Sequence, residues 1–263
     1  MTTTPAPAET LEESKPESPV VKSKTWVRKL ARILLRVSVS LVVLLFLAQL
    51  IWRFSGSNQW ELVLEKDGIK VYSLKAPGSD LLQFKAIGRI HSTLPGIVAW
   101  MKDPDACKIQ GCTDSREIER VGEQLQYNYF QYDYAPFDKR DFVIRSQFYQ
   151  NPDNKEVLLN VAAVADKVPP REGFYRVTNL NNKWRLAPLE NGQIEVEIEN
   201  NLDPGGFVPN VMFNRGRPRS LFYILSHIEK WVSSEKYQNA KFDFIKEKNG
   251  SPMAHITQAN TAQ

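Results

Sequence analysis

NLDPGGFVPNVMFNRGRP, residues Asn201 to Pro218, packs three prolines and three glycines into 18 positions and carries no periodicity. SLFYILSHIEKWVSSEKY, Ser220 to Tyr237, follows with a strong one. At 100° per residue, Leu221, Ile224, Leu225, Ile228, Trp231 and Val232 fall within about 120° of arc, with Ser226, Glu229, Lys230 and Ser233 opposite. Charges continue through KYQNAKFDFIKEK. A helix is therefore expected as far as about Ile245, roughly 40 Å at 1.5 Å per residue. So long an apolar stripe needs a surface to cover. The rigid stretch before it would fix the angle at which the helix meets that surface.

That surface is expected from the segments upstream. In GQIEVEIENNL (192–202), Ile194, Val196 and Ile198 face one side and Glu195, Glu197 and Glu199 the other. One side buried and one wet points to an antiparallel sheet. IKVYSLK (69–75), LLQFKAIGRI (81–90), REIERVG (116–122), QLQYNYFQYDY (124–134), RDFVIRSQFYQ (140–150), EVLLNVAAVA (156–165), GFYRVTN (173–179) and NKWRLAPLE (182–190) also read as strands, with turn signals such as NPDN between them. TLPGIVAWMKD (93–103) reads as a short helix with Thr93 as its N-cap. The class is α+β, a long helix closing over a curved antiparallel sheet.

The chain has 263 residues, enough for one sizeable core, and its net charge of +4 gives no indication of nucleic acid. Lys22, Lys24, Arg28, Lys29, Arg32 and Arg36 precede VSVSLVVLLFLAQLIW (Val37 to Trp52), 16 residues without charge. Extended back to Ile33 the run spans 20 positions, enough to cross a hydrocarbon core of about 30 Å. A buried helix of a soluble domain is disfavoured, because this one is apolar all round and flanked by Arg and Trp, and the exit AQLIWRFSGS offers no convincing cleavage site. A single signal-anchor helix over 26–53 is the reading that fits. The positive-inside rule then leaves the N-terminus cytosolic and the main domain on the far side. Residues 1–25 and 249–263 are too polar to fold and are expected to be disordered tails, the first of them cytosolic. Residues 54–58 form a short linker, which holds the 59–248 domain beside the membrane. Cys107 and Cys112, in CKIQGC, fit a small-loop disulfide or two free thiols.

No cofactor or metal motif is found. His91, His227 and His255 are widely spaced, and phosphate loops, dinucleotide fingerprints and nucleophile elbows are missing. The aromatic strand QYNYFQYDYAPF (126–137) carries rings on both faces. In the next strand Phe142, Ile144 and Phe148 share a side with Arg140 and Ser146. A mostly apolar face with one or two polar groups is the make-up of a ligand pocket. In EVLLNVAAVA, Val157, Leu159, Val161 and Ala163 form a wholly apolar set.

Taken in order, these pieces resemble the START lipid-transfer family. They are Trp60, Gly68–Tyr72, Pro136 with Arg140–Val143, Val168–Arg176, Trp184–Pro188 and Asp203–Asn210, followed by the long helix, over about residues 58–246. The composition looks like that of bacterial members carried on an N-terminal membrane helix. The resemblance implies a helix-grip fold of about nine antiparallel strands wrapped around the C-terminal helix, enclosing a tunnel for one lipid. It also implies a gate formed by residues 166–173 and that helix. The expected lipid-binding wall is Tyr127, Tyr129, Phe142, Ile144, Phe148, Leu159 and Val161, with Gln131, Arg140 and Ser146 as polar markers. Pro169 and Pro170 would belong to the gate loop, and Leu221, Leu225 and Ile228 to the inner face of the lid. Sterol-binding members place an acid–base pair in the tunnel. Here the basic position is Ser146, and Arg145 points the other way. A neutral pocket of Tyr, Gln and Ser would suit a sterol hydroxyl or an ester better than a phosphate, unless Arg140 turns inward. The expected protein is a monomeric lipid binder on a bacterial inner membrane with its domain in the periplasm. The rival readings are an enzyme of the cyclase type on the same fold, and a protein-interaction module with a residual cavity.

Overall fold

A computed structural model describes residues 22–248, with side chains from Trp26 onward. The tail expected after Asn249 lies outside the described residues, as does all of the N-terminal one before Lys22. The chain divides into two compact units, Met1–Ile51 and Trp52–Gln263.

The first unit is the body of helix α1, Lys22–Phe54, which starts within the stretch expected to be disordered. Its Trp26–Phe54 portion, 29 residues, is long and apolar enough to cross a membrane, and its side chains are exposed.

The second unit begins with the linker. Lys75 Nζ donates to the carbonyls of Arg53 (3.2 Å) and Ser55 (3.3 Å), and Asn58 N–H to the carbonyl of Lys75 (3.1 Å). Strands β1 (Trp60–Lys66), β2 (Ile69–Leu74) and β3 (Gln83–His91) come next. They are followed by helices α2 (Leu94–Lys102) and α3 (Ala106–Ile109), then β4 (Cys112–Val121), β5 (Leu125–Tyr132), β6 (Lys139–Gln150) and β7 (Val157–Ala163). After a single 3-10 turn, Ala165–Lys167, come the short β8 (Phe174–Arg176), then β9 (Asn179–Pro188) and β10 (Gln193–Asp203). Helices α4 (Asn210–Val232) and α5 (Glu235–Gln238) close the described chain. Thr93 caps α2 as expected, its Oγ1 accepting the Gly96 N–H at 3.1 Å.

The strands form one curved sheet in the order β1-β2-β3-β10-β9-β7-β6-β5-β4, antiparallel throughout. β8 adds to it in parallel with β6. The alternation in β10 does what its sequence demands. Ile194, Val196 and Ile198 are buried. On the other face Arg185 reaches Glu195 and Glu197 at 2.9 Å each, and Lys85 reaches Glu199 at 2.8 Å.

The long helix departs from expectation at both ends. It starts at Asn210, just after Pro209, so that RGRP lies within it and Pro218 is an internal residue. A proline there lacks the N–H that would bond the carbonyl four residues back. At its far end the helix stops at Val232, and the chain turns back through Ser233 and Ser234. Tyr237 in α5 then donates its hydroxyl to Asp103 Oδ2 at 2.7 Å, and Ile245 is buried without being helical. Leu225, Ile228 and Val232 are buried where α4 packs on β2 and β3. A Cβ on Gly88 would meet Ile69 Cγ1 at 3.2 Å and Leu225 Cδ1 at 3.5 Å, so this glycine sets how closely helix and sheet approach. Cys107 and Cys112 are joined as a disulfide, with Cα atoms 5.6 Å apart.

Candidate functional site

Away from the line where α4 rests on β2 and β3, the sheet curves off the helix and leaves a cavity of about 810 Å³. Its walls come from β5, β6, β7, β9, β10, α2, α3 and the middle of α4, Arg217 to Ile224. Phe130, Phe142, Ile144, Leu159, Val161, Trp184 and Ile198 supply apolar surface from the sheet, and Leu221 from α4. A polar band runs among them, formed by Asn128, Ser146, Asn182, Asn200 and Arg217. Volume and composition match those of small-molecule sites.

On β6 and β7 the expected face is the inner one. Phe142, Ile144, Ser146, Leu159 and Val161 all line the cavity. Phe148 shares that face but lies in solid core beyond it, with its ring 6.4 Å from that of Phe244 and Lys102 Nζ 4.9 Å above it. Arg140 is fully buried and does not line the cavity. It donates to the carbonyls of Asp138, Gly205 (2.9 Å) and Pro204 (3.4 Å), with the rings of Tyr134 and Tyr175 on either side. This arginine pins the DPGG turn in place. Gly205 there has φ +60°, and a Cβ on it would stand 2.2 Å from the Tyr175 ring.

On β5 the structure places the other face inward. Tyr127, Tyr129 and Gln131 do not line the cavity; Asn128, Phe130 and Tyr132 do. The reason is register. Phe130 pairs with Phe142 and Asn128 with Ile144, and residues directly opposite on antiparallel strands share a face. Because rings stand on both sides of β5, its alternation alone could not choose between them. The outward set is tied into a separate network. Tyr129 Oη donates to Asp141 Oδ2 (3.2 Å) and accepts from Gln131 Nε2 (3.1 Å), while Arg116 stacks 4.2 Å above the Tyr129 ring. Lys167 lies over Tyr127 at 4.2 Å.

That network extends to the loop expected to gate the cavity. Arg176 grips Asp141 with Nε (2.9 Å) and Nη2 (2.8 Å). The same guanidinium donates to the carbonyls of Ala165, Val168 (3.0 Å) and Pro169 (3.1 Å). Pro169 and Pro170 are exposed. Of the three residues expected on the inner face of the lid, Leu221 lines the cavity, whereas Leu225 and Ile228 are buried against the sheet outside it.

Trp100, Asn182, Asn200 and Arg217 are among the contributors that went unforeseen. Asn200 could have been found by carrying the β10 alternation two residues past Ile198. Arg217 could not, because RGRP reads as turn and not as helix. Its Nε and Nη2 both donate to Asn200 Oδ1, at 3.0 and 2.7 Å. Burial pulls its pKa below the ordinary arginine value, with Tyr134 and Tyr132 acting in the opposite sense. Burial likewise pushes the Tyr132 hydroxyl up to about 12, so it stays protonated and can donate.

This arrangement of curved sheet and long helix has counterparts among solved structures. The STAR-related lipid transfer protein of Xanthomonas axonopodis matches 66% of this chain and 99% of its own, with a TM-score of 0.62 and 24% identity. The chain has the fold of a START domain. Human StAR-related lipid transfer protein 5 also matches this START fold, over 75% of this chain and 97% of its own (TM-score 0.58, 18% identity). In sequence, the START-like region is 28% identical to bovine phosphatidylcholine transfer protein over 163 residues, 59% of this chain and 75% of the relative. It is 27% identical over 161 residues to an uncharacterized protein of Pseudomonas aeruginosa, covering 60% of this chain and 79% of that one. No protein-family model matches the chain.

Proposed function

We propose that the chain is a single-pass membrane protein whose START domain takes up one lipid and passes it on without altering it. The cavity carries this reading: about 810 Å³, mostly apolar walls and a narrow polar band. A lipid chain moved there stays out of water, at about 0.8 kcal/mol per methylene. Relatives named for lipid transfer support carriage in preference to catalysis.

The Trp26–Phe54 helix is the anchor in this reading. Its basic flank sets the N-terminus in the cytosol and the domain in the periplasm of a bacterial inner membrane. The protein acts as a monomer. Access is controlled by the 166–173 loop together with α4. One residue, Arg176, holds three carbonyls of the loop region, so a single rearrangement would free it. The lipid is a ligand and no cofactor is needed.

Native mass spectrometry of the full-length protein in detergent, with extraction of bound lipid, tests this. A one-to-one lipid adduct is expected. A protein that arrives empty and takes up nothing from lipid-containing micelles would sink the reading.

A further inference from the structure

Arg217 stands in the cavity wall with no acid beside it. Among the described residues its guanidinium donates only to the neutral Asn200 Oδ1, through Nε and Nη2, and Nη1 donates no hydrogen bond. No salt bridge involves it among the described residues. Two aspartates also line the cavity, and both are committed elsewhere. Asp103 Oδ2 accepts from Lys236 and from Tyr237 Oη, and Asp133 Oδ1 from the Ala135 N–H at 3.1 Å. The fold treats its other shielded guanidiniums differently. Arg176 has Asp141, Arg185 has three glutamates and Arg140 has three carbonyls.

An arginine cannot shed its proton, so removing it from water without a counter-charge is costly. Its outer edge is a fork of N–H donors whose geometry matches an oxyanion. Tyr132 also lines the cavity, and its hydroxyl is a further donor there. We propose that Arg217 seats the negatively charged headgroup oxygen of the bound lipid, a phosphodiester or a carboxylate, with Asn200 holding the guanidinium in place. This rests on the lipid-binding reading above and narrows it. A sterol or a neutral glyceride would leave the charge unanswered.

The test uses full-length, delipidated protein in non-ionic detergent micelles doped with phosphatidylglycerol, phosphatidylcholine, palmitate or diacylglycerol, read by native mass spectrometry. Two variants accompany it. Arg217→Gln removes the charge. Asn200→Asp keeps the hydrogen bonds but gives Arg217 a resident carboxylate, and its melting temperature should not fall. Adducts are expected with the phospholipids or with palmitate, and which of them forms distinguishes phosphodiester from carboxylate. Both variants should weaken those adducts about tenfold or more, the scale of a lost charge-assisted hydrogen bond. Diacylglycerol should bind weakly and be indifferent to either substitution. The proposal is overturned if diacylglycerol binds as well as the charged lipids, or if Asn200→Asp and Arg217→Gln leave the anionic adducts unchanged. No adduct with any of the four probes would overturn lipid binding itself, and this proposal with it.

Discussion

Both faces of the β5–β6 ribbon carry buried polar groups, but in opposite ways. Outward, Asp141, Tyr129, Gln131 and Arg176 answer one another completely: each charge has a counter-charge, and the spare donors reach the loop carbonyls. Inward, among the described residues, Asn128 Oδ1 has no partner and the Arg217 guanidinium has only an amide oxygen. A closed network specifies geometry and holds the loop. An open one is a site, because it reserves interactions that the chain has not made with itself. Buried polar residues alone would not have separated these two roles. The count of satisfied partners does.

The comparison breaks most severely at Asp141. It is fully buried, and Arg176 retains only 10% of its side-chain exposure. Asp141→Asn keeps the shape and removes the charge, leaving the guanidinium uncompensated at a cost of about 4 kcal/mol. Urea denaturation should show that loss, and hydrogen exchange should rise across residues 164–173. A loss under about 1 kcal/mol would mean that the outward network does not hold the loop. Next comes Gly205→Ala, which combines a positive φ with a Cβ 2.2 Å from the Tyr175 ring. A penalty of about 3 kcal/mol is expected in the same assay. Unchanged stability would show that the Arg140-pinned turn can relax and does not fix where α4 begins.

Much of this was legible before any coordinates. Strict alternation in GQIEVEIENNL, the stripe on α4 and the Thr93 cap each repeat a local rule, and each element formed accordingly. The even-numbered face of β6 was legible too, because apolar residues gather there. The face of β5 was not, since rings on both sides cancel the period-2 signal and register is fixed only by pairing with β6. Helix α4 was misjudged at its start because prolines and glycines dominate 204–218. Tertiary packing carries the helix through Pro218 despite the poor propensity of that residue. That misjudgement hid Arg217, the most informative residue in the cavity. Its signal is the absence of a neighbouring acid, which no local pattern records.

Lys102, at the end of α2 beside the cavity-lining Trp100 and Met101, represents a third case. Its ammonium is buried, donates to the carbonyl of Glu123 at 2.6 Å, and stands over the rings of Phe148 and Phe242. Burial, helped by Arg120, pushes its pKa down to about 8 from 10.5. Between those values the unfolded chain binds a proton that the folded chain does not. Stability therefore rises with pH across that window. Lys102→Met should abolish this rise, so the wild-type deficit relative to the variant should shrink from pH 7.5 to pH 10.5. A difference that stays flat with pH would show the ammonium to be solvated.

The smallest effect is the most discriminating. Asn128 is the immediate neighbour of Tyr129 on β5, is equally buried, and differs in facing inward with its Oδ1 unpaired among the described residues. Removing a satisfied buried group leaves its partner stranded, but removing an unsatisfied one strands nothing. Asn128→Leu, of similar volume, should therefore change stability by no more than about 1 kcal/mol in either direction in lipid-free protein. It should still alter which lipids are retained, because it makes the polar band apolar at one point. A large loss of stability would mean that this oxygen has a partner in the folded state, and the inner face would then be as closed as the outer one. Near-neutral stability with changed lipid retention would establish that one ribbon supports the fold with one face and selects a ligand with the other.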